Sequence, residues 1–399
     1  MLFGGECKSS PPKFFMLGCE KMEDEVTNVV DCYFNAHKIK FDNLAKLLNS
    51  INIDNTLTKI NIYINIESLL NQIHKPFIEE SLSVMDKKEL KNFHINLIAN
   101  ILNIIAHYRR FFNKHKLKTN IVLFANEYDK YTQSNNSVFI KNYRERFIYN
   151  YTDNPSFSSI NKVLSTTIPN VKTIVNYIED CYFLTTARYE SSVIPILLCN
   201  ESQLDGQLNI LISRDMYDLQ YVNRGFLVLY PKGEESCIIY KINLFDFISE
   251  RYKIDEKYKL PSYVFPFVLS VVGDKRRNIE GVKGWGWKTV YKEVSKLFKS
   301  LGIDDSEVVP LESLITSIRE SKYRDYSVKE KIARNLVCTD VLRQCKMITN
   351  SQKMDTTKEL INKFEPNALN KLNDNYFVRN PIDIIGLEQF HLKDEGKMF

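Results

Sequence analysis

The chain has 399 residues, of which 44% are hydrophobic and 26% charged, the balance of a globular protein with one large core or two ordinary ones. Its 54 basic and 49 acidic residues give a net charge of +5, an excess too small to indicate a nucleic-acid partner by itself. No run approaches the roughly 18 apolar residues that span a bilayer. The eight cysteines show no CxxC pair and no zinc-ligand spacing, so we expect a reduced, intracellular protein.

Strands and helices alternate through the first part of the chain. Residues 59–66 alternate apolar and polar side chains as a strand does, and a long amphipathic helix is predicted at about 85–114. Further strands are predicted at 120–126, 182–186 and 208–213, with helical segments between them. This order predicts an α/β fold with a mostly parallel sheet flanked by helices.

The second part of the chain changes character after Gly225. Two strands there flank a Pro-Lys-Gly-Glu turn, and from Pro261 onward the chain is predicted to be helical. We therefore divide the chain into an N-terminal extension of unknown role, an α/β domain, a helical domain and a C-terminal tail. Their predicted bounds are 1–58, 59–258, 259–350 and 351–399.

The most informative stretch is VVGDKRRNIEGVKGWGWKTV, residues 271–290. Its glycines supply tight turns and bare backbone, and Gly284 and Gly286 precede a predicted helix whose free N–H groups and dipole suit a phosphate. The stretch resembles the helix–three-turn–helix of the 5′-nuclease superfamily, which includes flap endonucleases and phage 5′–3′ exonucleases. That resemblance extends over about 59–348 and implies a PIN-like α/β nuclease domain followed by a helical DNA-holding domain.

The resemblance also implies two Mg²⁺ or Mn²⁺ ions, held by carboxylates at strand ends and helix starts. At several of those positions this chain carries a residue of another kind: Asn65, Ser191, Ser192, Tyr217 and Arg277. An amide or a hydroxyl is a weaker ligand than a carboxylate, and a guanidinium is a fixed positive charge where a cation should bind. The sequence therefore predicts that the fold is kept and two-metal catalysis is lost or much reduced.

The predicted residual metal ligands are Asp215 and Asp274, with Glu190 as a third if the backbone shifts by one residue. Two carboxylates cannot offset the charge of two divalent ions, so we expect at most one hydrated Mg²⁺ or Mn²⁺. Asp215 and Asp274 are equally well interpreted as cap or turn residues, because Asp is common after strands and at helix ends.

Basic residues and bare backbone around the 271–290 motif are the predicted DNA contacts. Backbone amides of the glycine-rich hairpin and the neighbouring side chains suit consecutive phosphates, which position a duplex without reading its sequence. The resemblance adds a K⁺ ion held by hairpin carbonyls. The predicted DNA-binding residues are Lys275, Arg276, Arg277, Gly281, Lys283, Gly284, Gly286, Lys288, Thr289 and Lys292.

Two further surfaces are candidates for binding. Trp287 suits stacking on a sugar or base, or docking onto a partner protein, although packing within the domain is an alternative for both tryptophans. The segment 140–147 falls where the resembled family has an arch that guides a 5′ single strand. The predicted single-strand contacts there are Lys141, Tyr143, Arg144 and Arg146.

The sequence leads to one hypothesis of function and two alternatives. The hypothesis is a 5′-nuclease-like protein that binds duplex or 5′-branched DNA by its backbone, in phage-type replication, repair or packaging, within the host cell or a virion. One alternative is a structural or virion protein that uses the fold for protein contacts. The other is an active metal-dependent 5′–3′ exonuclease or flap endonuclease with a rearranged acid set: Glu127, Asp129, Glu190, Asp215, Asp218 and Asp274.

Overall fold

The computed structural model describes sixteen separate stretches of the chain. They are residues 59–66, 68, 101–102, 104–106, 108–113, 117–126, 171–172, 175, 178, 180–186, 191–199, 207–232, 235–274, 279–303, 308–317 and 326–347. The predicted N-terminal extension, the predicted arch segment at 140–147 and the predicted tail therefore lie outside the described residues, and the predicted domain bounds stay predictions.

Six strands form one sheet in the order β3-β2-β1-β4-β5-β6. All neighbours pair in parallel except β5 and β6, which form an antiparallel hairpin at the edge. The mostly parallel sheet predicted from the sequence is confirmed. The strands are β1 (Lys59–Asn65), β2 (Lys118–Asn126), β3 (Cys181–Thr186), β4 (Gln207–Ile212), β5 (Leu227–Lys232) and β6 (Glu235–Ile239).

Strand β1 lies between β2 and β4, and its sequence follows from that central position. Ile60, Ile62 and Ile64 point to one face and are almost completely buried, as expected for β-branched residues in a sheet covered on both sides. The opposite face begins with Asn61, whose side chain bonds across both neighbouring strands. Its amide donates to Asn209 at 3.0 Å and its oxygen accepts from Asn120 at 3.2 Å, giving a ladder of three asparagines in register.

Among the described residues, seven α-helices have defined bounds, and most belong to the second part of the chain. They are α1 (Ile194–Cys199), α2 (Leu244–Tyr252), α3 (Phe265–Val272), α4 (Trp287–Leu301), α5 (Leu311–Ser317), α6 (Tyr326–Thr339) and α7 (Val341–Met347). A nine-residue 3-10 helix, Met216–Arg224, follows β4 and was not predicted. The described residues between 101 and 113 are helical, as predicted. No helix among the described parts of the chain is long and apolar enough to cross a bilayer.

Helix α3 is the centre of the helical region. Every residue from Phe265 to Val271 is buried, and α4 and α6 pack against it. Its apolar side chains join those of the sheet in one continuous core that also takes in Tyr63 of β1 and Val290 of α4. Because one core serves both regions, the sheet fixes where the helices lie.

The turns predicted between the two helices of the 271–290 motif contain a short hairpin. Gly273 ends α3 with φ 78°, and two short strands, β7 (Gly273–Asp274) and β8 (Ile279–Glu280), pair antiparallel before α4 begins. The positive φ turns the chain out of the helical conformation, and the paired strands that follow were not predicted.

Candidate nucleic-acid interface and the carboxyl edge of the sheet

A hydrogen-bonded cluster occupies the carboxyl edge of the sheet, where β1 and β4 end side by side. The carboxylate of Asp218 accepts from the Asn65 amide at 2.9 Å and from the Ser213 hydroxyl at 2.6 Å, both to Oδ2. The Ser213 and Ser68 hydroxyl oxygens are 2.9 Å apart, and Ser68 N–H donates to Asn65 Oδ1 at 2.9 Å. All four residues are buried, so the cluster excludes water from this edge.

The protons of this cluster can be assigned from its acceptors. Ser213 has a single hydroxyl proton. This proton lies in the short hydrogen bond to the Asp218 carboxylate, because a charged acceptor makes the stronger bond. Ser68 then donates to Ser213 Oγ, and Ser68 Oγ in turn accepts from the Arg214 N–H at 2.7 Å. Hydrogen bonds in such a chain polarise one another, so this part of the edge is stabilised from within the protein.

Asp215, the predicted metal ligand after β4, caps the 3-10 helix Met216–Arg224. It has extended φ and ψ, and its carboxylate accepts from Tyr217 N–H at 3.0 Å. Tyr217 stands where the resemblance implies another carboxylate, and it is almost completely buried, with its hydroxyl accepting from the Gln344 amide at 2.9 Å. The cap interpretation of Asp215 is thus supported by geometry, and Tyr217 is part of the core.

The described residues at this edge do not fit a pair of divalent ions. A divalent ion needs oxygen ligands, whereas Asn65 directs its amide nitrogen to the one buried carboxylate. Ser191 and Ser192 are buried in a short 3-10 helix. Among the residues that the structure describes, no three His, Cys, Asp or Glu side chains come together. Asp274 lies half-buried in β7, while Glu190, Glu127, Asp129 and Arg277 lie outside the described residues.

Two glycines of the predicted DNA-binding motif are required by the packing of the hairpin on α3. Gly281 lies against the end of α3, where a Cβ would overlap the carbonyl oxygen of Val272. A Cβ on Gly273 would overlap the backbone of Gly281 and Ile279 across the hairpin. The hairpin is pinned here by a hydrogen bond from Val282 N–H to the Val271 carbonyl at 2.8 Å. These glycines therefore hold the motif in place and are explained by the fold.

The other two glycines of the motif face open space. A Cβ on Gly284 or on Gly286 would meet nothing within 4 Å. Gly284 has φ 80°, which itself favours glycine, but Gly286 has φ −81° and ψ 175°, an extended conformation that any residue adopts. Gly286 is the N-cap of α4 and offers no side-chain acceptor to the amides of the first turn. The fold alone does not explain why this position is a glycine.

Lysines line one exposed face of α4. Lys288, Lys292, Lys296 and Lys299 are all exposed, and at 100° per residue they occupy an arc of about 80°. The buried residues Val290, Val294 and Phe298 lie on the opposite side of the helix. The helix has one acidic residue, Glu293, which pairs with Lys296 at 2.9 Å. Lys283, in the turn before the helix, is also exposed, and Thr289 is half-buried.

The first turn of α4 carries a charge opposite to the one that helices favour. The positive end of the helix dipole favours acidic side chains there, yet the first turn has none and contains Lys288. The exposed amides, the helix dipole and this lysine add up to a positive region at the start of the helix. Of the remaining predicted DNA contacts, Lys275, Arg276 and Arg277 lie outside the described residues, as do Lys141, Tyr143, Arg144 and Arg146.

Trp287 has one face of its ring covered from within the protein. Its ring stacks on that of Tyr252, the last residue of α2, with centroids 4.3 Å apart and planes 9° from parallel. Phe265 lies 6.1 Å away on a tilted plane, and Trp285 is half-buried against the same core. Packing within the protein, an alternative for both tryptophans in the sequence, accounts for the stack of Trp287 on Tyr252. A partner protein at Trp287 stays a prediction.

Sequence reasoning did not find the cluster at the carboxyl edge as a unit. Asp218 was considered only as a displaced metal ligand, and Ser68 was not considered at all. The cluster joins residues separated by up to 153 positions, so no local spacing reveals it. One signal was present, since Asn65 and Ser213 both end apolar strands, and parallel strands bring their carboxyl ends to one edge.

Comparisons with protein-family models and with curated protein sequences found no match. Among solved structures, the chain is similar to bacteriophage T5 5′-exonuclease with bound zinc, with a TM-score of 0.47 and 12% identity over 76% of this chain and 98% of the other. It is also similar to the T5 D15 flap endonuclease as a pseudo-enzyme–product complex with DNA and metal ions, with a TM-score of 0.45, 14% identity and the same coverage. A third similarity is to the T5 D15 protein co-crystallised with metal ions, with a TM-score of 0.44 and 14% identity over 76% of this chain and 100% of the other. Two of these three solved structures are thus named as a 5′-exonuclease and a flap endonuclease.

Proposed function

We propose that this protein binds duplex or 5′-branched DNA through the sugar–phosphate backbone and does not cleave it by a two-metal mechanism. The binding surface is the turn from Lys283 to Gly286 and the lysine-lined face of α4. The biological setting that we propose, from the resemblance of the sequence, is phage-type DNA replication, repair or packaging.

The observation that carries this proposal is Gly286 at the start of α4. Neither the backbone angles of Gly286 nor its surroundings require a glycine, since a Cβ at this position would meet nothing within 4 Å. A glycine at such a position allows a ligand to approach the backbone amides closely. The amides of a helix N-terminus bind anions, and a DNA phosphate is an anion of suitable size and geometry.

The lysines of α4 support a polyanion as the ligand. Successive residues of the row are three or four positions apart, so the four lysines extend over about 16 Å of helix at about 1.5 Å per residue. One strand of duplex DNA carries a phosphate every 3.4 Å or so along the axis, and this length matches about five base pairs. Contacts of this kind give affinity without sequence specificity.

The carboxyl edge of the sheet supports the loss of two-metal catalysis. Asp218, the one fully buried carboxylate among the described residues, already accepts from Asn65 and Ser213, and Asp215 caps the 3-10 helix. Two divalent ions need a denser set of oxygen ligands than the described residues bring together.

A single assay with purified protein tests both parts of the proposal. The protein is incubated with 5′-flap and nicked duplex DNA at several salt concentrations, with Mg²⁺ or Mn²⁺ and with EDTA, and both retention and cleavage are measured. We expect retention that weakens steeply with salt, because bound phosphates release counterions, and no cleavage with either ion.

Two outcomes would contradict it. Cleavage that disappears in the Asp215→Ala variant would show an active site with a rearranged acid set and would reject the pseudo-nuclease assignment. Retention that does not respond to salt, or no retention, would reject DNA binding and leave the alternative of a structural protein.

A further inference from the structure

The 3-10 helix Met216–Arg224 bonds to the sheet at one end and to the helical region along its length. Toward the sheet, Asp218 accepts from Asn65 and Ser213. Toward the helices, Gln220 donates to the Thr339 carbonyl at 3.1 Å and accepts from Val341 N–H at 2.8 Å. The same short helix is therefore held by both regions of the molecule.

The corner between α6 and α7 receives most of these bonds. Gln344, in α7, donates to the Tyr217 hydroxyl at 2.9 Å and to the Cys338 carbonyl at 2.9 Å. The Thr339 hydroxyl, at the end of α6, donates to the Pro266 carbonyl of α3 at 3.0 Å. All of these groups are buried, so each bond that is lost would leave a polar atom without water to replace its partner.

Helix α6 in turn holds the glycine-rich hairpin. The Asn335 amide donates to the Ser270 carbonyl at 2.9 Å and to the Glu280 carbonyl at 2.8 Å. Lys331, one turn earlier, pairs with the Glu280 carboxylate at 2.9 Å. The hairpin that precedes α4 is thus fixed on α6 by both its backbone and a side chain.

We propose that Asp218 is a positioning residue for the DNA-binding surface. Its carboxylate anchors the 3-10 helix to the ends of β1 and β4, and the 3-10 helix sets the α6–α7 corner from which α6 holds the hairpin. The role concerns DNA only if the proposed function is correct, but the anchoring itself does not depend on it. Asp218 acts here as a buried hydrogen-bond acceptor, and its charge and metal affinity are not what the fold uses.

Two substitutions at this position separate an acceptor from a metal ligand. Asp218→Asn keeps a carbonyl oxygen of the same shape, which can accept from Asn65 and Ser213, and removes the charge. Asp218→Leu removes the acceptor and leaves both buried donors unsatisfied. Asp255→Leu is the control, because Asp255 caps another short 3-10 helix, by a bond to Lys257 N–H at 3.2 Å, but is exposed.

The measurements are amide hydrogen exchange of the peptides that contain Thr339–Gln344 and Ile279–Gly286, the affinity for nicked duplex DNA, and thermal unfolding with Mn²⁺ or EDTA. For Asp218→Leu we expect exchange in both peptides to rise about tenfold and DNA affinity to fall about tenfold, the effect of unsatisfied buried donors. Asp218→Asn keeps an acceptor for Asn65 and Ser213 but places an amide nitrogen where the protein has a carboxylate oxygen, so it should change exchange and affinity less than Asp218→Leu does. Asp255→Leu should stay within about twofold of the unmodified protein, and neither variant should show an effect of Mn²⁺ on unfolding.

If Asp218→Leu does not fold, Tyr217→Phe provides a milder test, because it removes only the bond to Gln344. Increased exchange confined to the α6–α7 corner is then expected. Equal defects in Asp218→Asn and Asp218→Leu, or stabilisation by Mn²⁺ that Asp218→Asn abolishes, would overturn the inference. Normal exchange in Asp218→Leu would do so as well. Exchange as expected without any DNA binding by the unmodified protein would reject the proposed function and leave the anchoring intact.

Discussion

The carboxyl edge of the sheet and the start of α4 treat polar groups in opposite ways. At the edge, Asn65 and Ser213 donate to Asp218, and all three residues are buried. At the start of α4, Gly286 exposes backbone and Lys288 places a charge where the helix dipole disfavours it. The first arrangement contributes to folding, whereas the second has a cost to the isolated helix that an anion would offset.

The difference between the two regions shows that one fold can use polar groups in two ways, for internal stabilisation and for exposure to solvent. Hydrogen bonds among buried polar groups, such as those from Asn65 and Ser213 to Asp218, stabilise a structural element. A surface whose backbone amides and lysines are exposed to solvent remains able to bind an anion. The comparison supports the proposal that binding belongs to the helical region and that the carboxyl edge of the sheet has a structural role.

The largest expected effect comes from restoring a carboxylate at the edge. Asn65→Asp replaces the amide that donates to Asp218 by a second negative charge in a buried site, which should cost about 3–5 kcal/mol of unfolding free energy at pH 8 in EDTA. The loss should shrink with Mn²⁺, which would bind between the two carboxylates. Urea unfolding under these conditions checks it, with Asn65→Leu as the uncharged control. An Asn65→Asp variant as stable as the unmodified protein in EDTA would mean that the edge is open to solvent.

The next largest effect on stability is expected from the contrast between the glycines that lie against backbone and those that face open space. Gly281→Ala places a Cβ against the Val272 carbonyl and should cost about 3 kcal/mol, because backbone on both sides cannot move apart. Gly286→Ala meets open space and should stay within about 1 kcal/mol of the unmodified protein while weakening DNA binding. Thermal unfolding and DNA retention measured on both variants test this. Equal stability losses would remove the distinction between the two positions.

The lysine row of α4 predicts a change in salt dependence. Lys288→Gln combined with Lys292→Gln removes two exposed charges, so the slope of log affinity against log salt should become less negative by about 2. The matched control replaces Lys241 and Lys346, two exposed lysines far along the chain from α4. Fluorescence anisotropy with a nicked duplex over a salt series measures the slopes. A similar change in both double variants would indicate general charge attraction without a defined surface.

Buried thiols near the sheet predict a loss of stability at high pH. Burial raises the pKa of Cys181 and of Cys199 to about 11 from the ordinary value of 9.0. Because the folded protein prefers the neutral thiols, their contribution is complete below about pH 9 and is lost as pH rises through 11, by about 1.4 kcal/mol per pH unit for each thiol. Unfolding at pH 8, 10 and 11 tests this. The Cys181→Ala, Cys199→Ala double variant should show a flatter pH profile.

The smallest effect concerns Asp215, which the sequence offered as a metal ligand. As a cap for Tyr217 N–H, it should tolerate Asn almost fully and lose about 1 kcal/mol when replaced by Ala. Neither variant should alter the response of the protein to Mn²⁺. Differential scanning calorimetry with and without Mn²⁺ measures both. A metal-dependent difference between Asp215→Asn and the unmodified protein would restore the ligand interpretation.

Local patterns predicted the strands well and the edge cluster poorly. The alternation of Ile60, Ile62 and Ile64 with polar residues is a short-range signal, and the strand that it predicts is present. The bond between Asn65 and Asp218 depends on how β4 lies beside β1, which no spacing in the sequence encodes. The turns before α4 could be predicted from their glycines. Only the packing in the structure shows that Gly281 lies against backbone whereas Gly286 faces open space.

The ladder of Asn61, Asn120 and Asn209 has a consequence for how the chain finds its fold. Asn61 is 59 positions from Asn120 and 148 positions from Asn209, so strands that lie far apart in the chain must pair before the sheet exists. Such non-local pairing is slow. Apolar strands slide past one another at little cost, whereas a slip of one residue would point each amide to the opposite face and leave it buried without partners. The ladder therefore selects one register among several that hydrophobic collapse alone would accept. Its replacement by alanines should slow refolding or allow misregistered species, even where the native state remains stable.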